Sequence, residues 1–265
     1  MFQTLGQMSL VGTFLLISAS TIGISILALF LVRRYIPLDF RYRDNPVIGN
    51  ISSLIGIIYG VLVGITALYL INNISYVDQA VQLEANAVSD IYHDSNWLKE
   101  PAKTKIQTEI KNYLNLVINV EWPLMKIGEK IDDAGMRIIS RISDALRAYG
   151  HPQGEDALII PNVLQDIKTL YDQRSQRIHM SFSALSPEVW LVILIGTILT
   201  IGINYLFGMN FYFHLIVISA AALMASSMIF LLVTLDKPFQ GEFVIESDTF
   251  KVILDRMEHD AADER

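Results

Sequence analysis

The sequence predicts an all-α integral membrane protein with four transmembrane helices and a helical soluble domain between the second and third. Three observations predict it. Four almost wholly apolar runs, about residues 10–32, 47–71, 187–207 and 211–235, have the length to cross a bilayer. About 20 residues at 1.5 Å rise match a hydrocarbon core of about 30 Å. Most of the charge falls between the second and third runs, in a chain that is 52% hydrophobic with a mean hydropathy of +0.40. Within that middle block the apolar residues recur at helical spacing, which gives each segment one apolar face.

The first run, LVGTFLLISASTIGISILALFLV, is read as a retained span. Residues 1–9 carry no Lys or Arg, and the run exceeds the 7–15 residues or so of a signal-peptide core. The second run contains SSLIGIIYGVLVGITALYL, in which Ser52, Gly56, Gly60 and Gly64 fall every fourth residue. No Gly or Pro occurs between Gly64 and Pro101, so this helix is expected to continue straight out of the bilayer.

In the soluble block, 72–186, Val77, Val81, Val88, Ile91 and Tyr92 form one apolar stripe. Pro101 suits a first helical turn, and Ile106, Ile110, Tyr113, Leu114 and Val117 form the next stripe. Pro123, Gly128 and Gly135 interrupt the stretch after that stripe, AYGHPQGED (residues 148–156) is a loop, and Pro161 opens the last soluble helix. Trp190 and the aromatic cluster Tyr205, Phe207, Phe211, Tyr212 and Phe213 mark headgroup levels. A tight turn at Gly208-Met209-Asn210 makes the last two spans a hairpin. The expected organisation is thus 1–71, spans one and two; 72–186, soluble domain; 187–235, hairpin; 236–265, C-terminal tail.

Several classes are disfavoured. A net charge of −7 lacks the basic balance of a nucleic-acid binder. The chain has no cysteine, hence no disulfide or thiolate site. Its five histidines, His93, His151, His179, His214 and His259, include no i, i+4 pair. There is no P-loop and no GxSxG. We therefore expect no enzyme activity, no cofactor and no metal. Away from their ends the spans carry no Asp, Glu, Lys, Arg or His, whereas ion-coupled transporters generally place such a group there.

In lipid, helices associate through close backbone approach, dispersion and interhelical hydrogen bonds. The ridge of Ser52, Gly56, Gly60 and Gly64 is a track for such approach, and two partners suit it. The favoured one is another helix of the same subunit. The other is further copies of this helix around an axis, which would turn Ile57, Val61 and Ile65 inward as a hydrophobic constriction able to gate by dewetting. Gly196, Thr200 and Asn204, at i, i+4 and i+8 of the third span, are expected to serve packing in the same way. Beyond the membrane, Glu84 and the group Asp172, Arg174 and Arg177 are either vestibule charges or a structural ion pair between neighbouring helices. The pair is favoured, because a partly buried charge needs a partner.

Residues 33–46 hold Arg33, Arg34, Arg41 and Arg43, whereas residues 1–9 and 72–98 hold no Lys or Arg. That asymmetry places the first loop in the cytoplasm and the soluble block on the other side.

VLVGITALYL followed by NNISY resembles the pore-helix stretch of bestrophins, where an apolar run leads into an Asn/Gln-Tyr step. EANAVSDIY, EWP, LYDQRSQRI and LDKPFQGE are similar to motifs of a bacterial bestrophin-like membrane family, in order over roughly residues 45–255. The resemblance implies a pentamer in the inner membrane with four membrane helices per subunit. It implies a neck lined by Ile57, Val61 and Ile65 that passes inorganic ions, usually anions, and a cytosolic soluble domain, opposite to the charge asymmetry. Bestrophins place aromatic residues at some neck positions, and here all three are aliphatic. Their dense acidic calcium-binding run is reduced here to Glu242, Glu246 and Asp248 after Pro238, Phe239 and Gly241. Membrane lipid, ions and further copies of the chain are the expected partners. The expected function is an oligomeric ion channel. The alternative is a non-conducting membrane sensor or scaffold acting through the soluble domain.

Overall fold

In a computed structural model, residues 9–35, 44–149, 156–182, 184–240 and 245–263 are described. They form α1 (Leu10–Tyr35), α2 (Asn45–Ser95), α3 (Ala102–Leu116), a π-helical turn (Val117–Glu121), α4 (Trp122–Ile127), α5 (Ala134–Ala148), α6 (Asp156–Ser181), α7 (Pro187–Asn204), α8 (Phe211–Leu235) and α9 (Asp248–Asp263). No strand occurs among the described residues. Part of the first loop (36–43, with Arg41 and Arg43), most of the AYGHPQGED segment (150–155, with His151), and Gly241 and Glu242 lie outside them.

Four helices, α1, α2, α7 and α8, are long and apolar enough to cross a membrane. α2 is one unbroken helix of 51 residues. Absence of Gly or Pro between Gly64 and Pro101 left it no internal stop, as its sequence suggests. The chain divides into two compact units, one formed by residues up to Asn73 with Ala184–Lys237, the other by Ile74–Ser183 with Pro238–Arg265. α2 contributes to both.

In the first unit α1 packs along α8. Phe14 meets Phe230 edge to face at 5.3 Å, and the Ser226 hydroxyl donates to Ser18 Oγ at 3.1 Å. Small side chains at this seam allow the close approach that substitutes for a hydrophobic drive in lipid. The membrane half of α2 packs through Tyr59, Val63, Ala67 and Leu70 against Ile193 and Leu232. The turn between α7 and α8 is held by Asn45, whose amide donates to the Gly208 carbonyl at 2.9 Å and accepts from the Gly208 N–H at 2.8 Å.

The second unit has a conventional apolar core. Val77, Val81, Val88, Ile91 and Tyr92 of α2 are buried in it, as are Ile106, Ile110, Tyr113, Leu114 and Val117. Trp122 stacks edge-on against Phe239 and Phe250 at 5.5 and 5.6 Å and donates from Nε1 to the Ile245 carbonyl. Phe239, Ile245 and α9, grouped in the sequence with a separate tail, therefore build part of this core. Phe250 and Met257 of α9 are buried there.

Two punctuation residues behave differently from expectation. Pro161 lies inside α6, which begins at Asp156. Gly135 lies inside α5, directly against the Arg174 guanidinium, where any Cβ would collide. Gly128 does end α4. At φ +72° it closes a pair of bonds, Gly128 N–H to the Met125 carbonyl and Glu129 N–H to the Leu124 carbonyl, a left-handed helix stop that glycine adopts without a Cβ penalty.

Candidate functional site

The membrane half of α2 presents two faces. One buries Tyr59, Val63, Ala67 and Leu70 against α7 and α8. The other carries Ile57, Val61 and Ile65, which are 66%, 57% and 65% exposed. Between them runs the glycine ridge. An added Cβ at Gly56, Gly60 or Gly64 would meet nothing within 4 Å among the described residues. The favoured expectation, that the ridge packs inside one subunit's bundle, finds no neighbour within 4 Å of such a Cβ among the described residues, although Gly56 and Gly60 are half-buried. The helix turns its bulkier Tyr59 face inward. Ser52 is half-buried.

Packing by a small residue does occur at Gly196. Its Cα faces the Tyr59 ring, and an added Cβ would sit 2.5 Å from Cδ2. The Tyr59 hydroxyl is hydrogen-bonded to Thr197 Oγ1 at 2.8 Å, so the ring is tethered in that position. Thr200 Oγ1 is enclosed with no hydrogen-bond partner among the described residues. Among the described residues the Asn204 side chain makes no bond to another helix. Instead its amide folds back to the Thr200 carbonyl at 2.7 Å, and the link to α8 is made by its backbone carbonyl to His214 Nε2 at 3.0 Å.

In the second unit the charged residues form a closed cluster. Arg177, fully buried, donates from Nε to Glu84 Oε2 at 2.7 Å and from Nη2 to Glu84 Oε1 at 2.9 Å and Glu121 Oε2 at 2.7 Å. Arg174 donates to Glu121 Oε1 at 2.6 Å. The Tyr113 hydroxyl donates to Glu84 Oε1 at 2.6 Å. The Arg177 guanidinium lies 5.2 Å from the Trp122 ring and donates to Met125 Sδ. Two carboxylates and two guanidiniums balance, so the cluster is neutral.

Burial pushes the Tyr113 phenol well above its usual pKa, and the Glu84 charge adds to this. Burial works against the Arg177 charge, but Glu84 and Glu121 outweigh it and hold the cation firmly. Such a cluster is costly to break, because losing one partner strands a charge in low dielectric. Its chemistry is structural. Every carboxylate oxygen is engaged by a donor, which leaves none for a metal or a substrate. Among the described residues no group of His, Asp or Glu is placed to hold a metal ion.

Of the four residues singled out beyond the membrane, Glu84, Arg174 and Arg177 come together, whereas Asp172 is exposed and stands apart. Sequence reasoning missed Glu121 and Tyr113. Glu121 sits at the end of the π-helical turn, and nothing in its local sequence reveals that two arginines more than 50 residues away meet it. Tyr113 was legible only as a member of an apolar stripe.

These features define a multi-pass helical membrane protein with a buried, charge-compensated cluster in its second unit. More particularly, the chain belongs to the Bestrophin-like family, whose domain model matches residues 19–250. It is similar to a crystal structure of a bacterial bestrophin homologue from Klebsiella pneumoniae carrying a point mutation. That match has a TM-score of 0.69 at 11% identity and covers 92% of this chain and 97% of the other. A crystal structure of a membrane protein variant matches with a TM-score of 0.66 at 12% identity and the same coverages. At such identities the likeness concerns the fold. No curated protein matches the chain.

Proposed function

We propose that the protein is a homo-oligomeric ion channel of the inner membrane, with a hydrophobic neck formed by Ile57, Val61 and Ile65 of α2. One observation carries the reading. A Cβ added at Gly56, Gly60 or Gly64 would meet no described atom within 4 Å, and the aliphatic stripe beside them is mostly exposed in the single chain. That is the geometry a helix needs if copies of itself are to approach it. Glycines in a helix cost up to about 1 kcal/mol each, and contacts absent from the single chain must offset this. Membership of the Bestrophin-like family supports conduction and, by resemblance, a pentamer.

In this mechanism the aliphatic rings form a dry constriction. Ions cross when the neck widens enough to hold water. The buried cluster of Glu84, Glu121, Arg174 and Arg177 keeps the soluble unit rigid and takes no part in conduction. Lipid covers the outward faces of α1, α7 and α8. Residues 33–46 face the cytoplasm, a side supported by the arginines of that loop.

The test is ion flux in proteoliposomes, with the wild type compared with Ile57→Ala and Val61→Ala, alongside the mass of the purified particle. An oligomer whose flux rises several-fold when a neck side chain is cut back supports the proposal. A monomeric particle with no flux in any variant refutes it and leaves the sensor or scaffold function.

A further inference from the structure

At one end of the membrane unit the chain gathers positive charge and leaves it unbalanced. α1 closes on Phe30, Arg33 and Arg34, and its antiparallel neighbour α8 opens there on Phe211, Tyr212 and Phe213. The turn before α8 is fixed by the two bonds between the Asn45 amide and Gly208. Against that turn Arg33 is half-buried. Its Nη2 donates to the Met209 carbonyl at 3.3 Å, and its guanidinium lies 5.1 Å from the Phe211 ring, which sits 5.6 Å from Phe30. A carbonyl and a ring face both attract a cation, but neither carries a charge that cancels it.

Nη1 of Arg33 is enclosed and meets no acceptor. Among the described residues no ion pair reaches Arg33 or Arg34. Three described carboxylates belong to this unit. Glu188 and Asp236 stand at the far ends of α7 and α8, about 25 Å or more away at 1.5 Å per residue. Asp44 forms no ion pair with either arginine.

From this we infer that Arg33 anchors a binding site for the phosphate of an anionic phospholipid, seated against the adjoining ends of α1 and α8. The inference needs the membrane spans alone and stands apart from the channel reading. Arg34 is exposed, and snorkelling at a helix C-terminus accounts for it. Arg33 is held back against apolar rings, where an unbalanced charge is costly. Its planar fork of donors suits a phosphate diester. Tyr212 and Phe213, 75% and 59% exposed, mark the headgroup level at which such a phosphate lies. A zwitterionic lipid brings its own cation beside the phosphate. Two arginines at one place therefore favour a headgroup with net negative charge.

The experiment measures lipid binding to the full chain in a non-ionic detergent by native mass spectrometry. The probes are phosphatidylglycerol, phosphatidylcholine and inorganic phosphate. The wild type should hold phosphatidylglycerol about tenfold more tightly than phosphatidylcholine, the scale of two basic residues near a charged headgroup. Arg33→Gln should lower the phosphatidylglycerol affinity about tenfold, the effect of one charge-assisted hydrogen bond, and leave phosphatidylcholine unchanged. Arg33→Lys keeps the charge without the fork and should recover part of the loss. A wild type that does not distinguish the two lipids overturns the inference, as does an Arg33→Gln chain that binds phosphatidylglycerol like the wild type. Equal loss of both lipids in Arg33→Gln marks a purely structural arginine and overturns it too. Displacement of the lipid by millimolar inorganic phosphate would assign the site to a free anion and refute the lipid.

Discussion

Replacing Arg177 by methionine would remove four hydrogen bonds, three of them to carboxylates, and one buried positive charge. Glu84 would keep only the Tyr113 hydroxyl, and Glu121 only Arg174. The neutral cluster becomes a buried site with one excess negative charge. Breaking a buried ion pair on one side costs about 3–5 kcal/mol, and each kcal/mol moves the melting temperature of a chain of this size by about 2–4 °C. Arg177→Met should therefore lower the midpoint by roughly 6–20 °C. The second variant, Glu84→Gln in the same chain, restores neutrality and keeps an acceptor for Tyr113. The double variant should then be more stable than Arg177→Met alone, with a coupling of about 2 kcal/mol, inside the usual range for contacting residues. Thermal unfolding of the detergent-purified protein by circular dichroism measures all four corners of the cycle. Additive effects, or an Arg177→Met loss below about 1 kcal/mol, would refute the view that compensation of charge holds this core together.

Gly196→Ala drives a methyl into the tethered Tyr59 ring and should cost about 1–3 kcal/mol, whereas Gly60→Ala meets open space in the chain and should leave the melting temperature of the dissociated chain unchanged or slightly raised. Gly60→Ala should instead shift the particle toward smaller species on gel filtration, and the reverse ranking of the two variants would be inconsistent with the open ridge. Asp166 is held above the ordinary aspartate pKa, first by burial and then by Asp90 and Asp94. Its charged form is disfavoured in the fold, so stability is greatest below the unfolded pKa of about 3.9 and falls as pH rises through the raised folded value. Asp166→Asn should therefore stabilise the protein at pH 7, with the advantage shrinking toward pH 4. A variant less stable than wild type at pH 7 would contradict this.

The spans and the apolar stripes were readable because they depend on periodicity alone. Ile106, Ile110, Tyr113, Leu114 and Val117 all prove fully buried. The long α2 was readable from the lack of Gly or Pro. What the glycine ridge touches was not, because close approach is a property of two helices and the sequence describes one. The charge cluster was half legible. Arg174 and Arg177 share a face of α6, but Glu121 reaches them through tertiary packing with no local signature. α9 was overlooked although Phe250, Ile253, Leu254 and Met257 stand at helical spacing. A short segment after a span reads easily as a tail when its charges outnumber its apolar residues.

The π-helical turn at Val117–Glu121 fits one more residue into the rod than an α-helix would take. Wind the same five residues as an ordinary 3.6-fold helix and everything beyond them swings by about 100°. Glu121 would then point away from both arginines, and Trp122 away from its two phenylalanines. One surplus amino acid, taken up by the wider turn, thus indexes this half of the protein, and a one-residue deletion inside the turn should keep the phase beyond it, whereas the same deletion in the α-helical turns on either side should not.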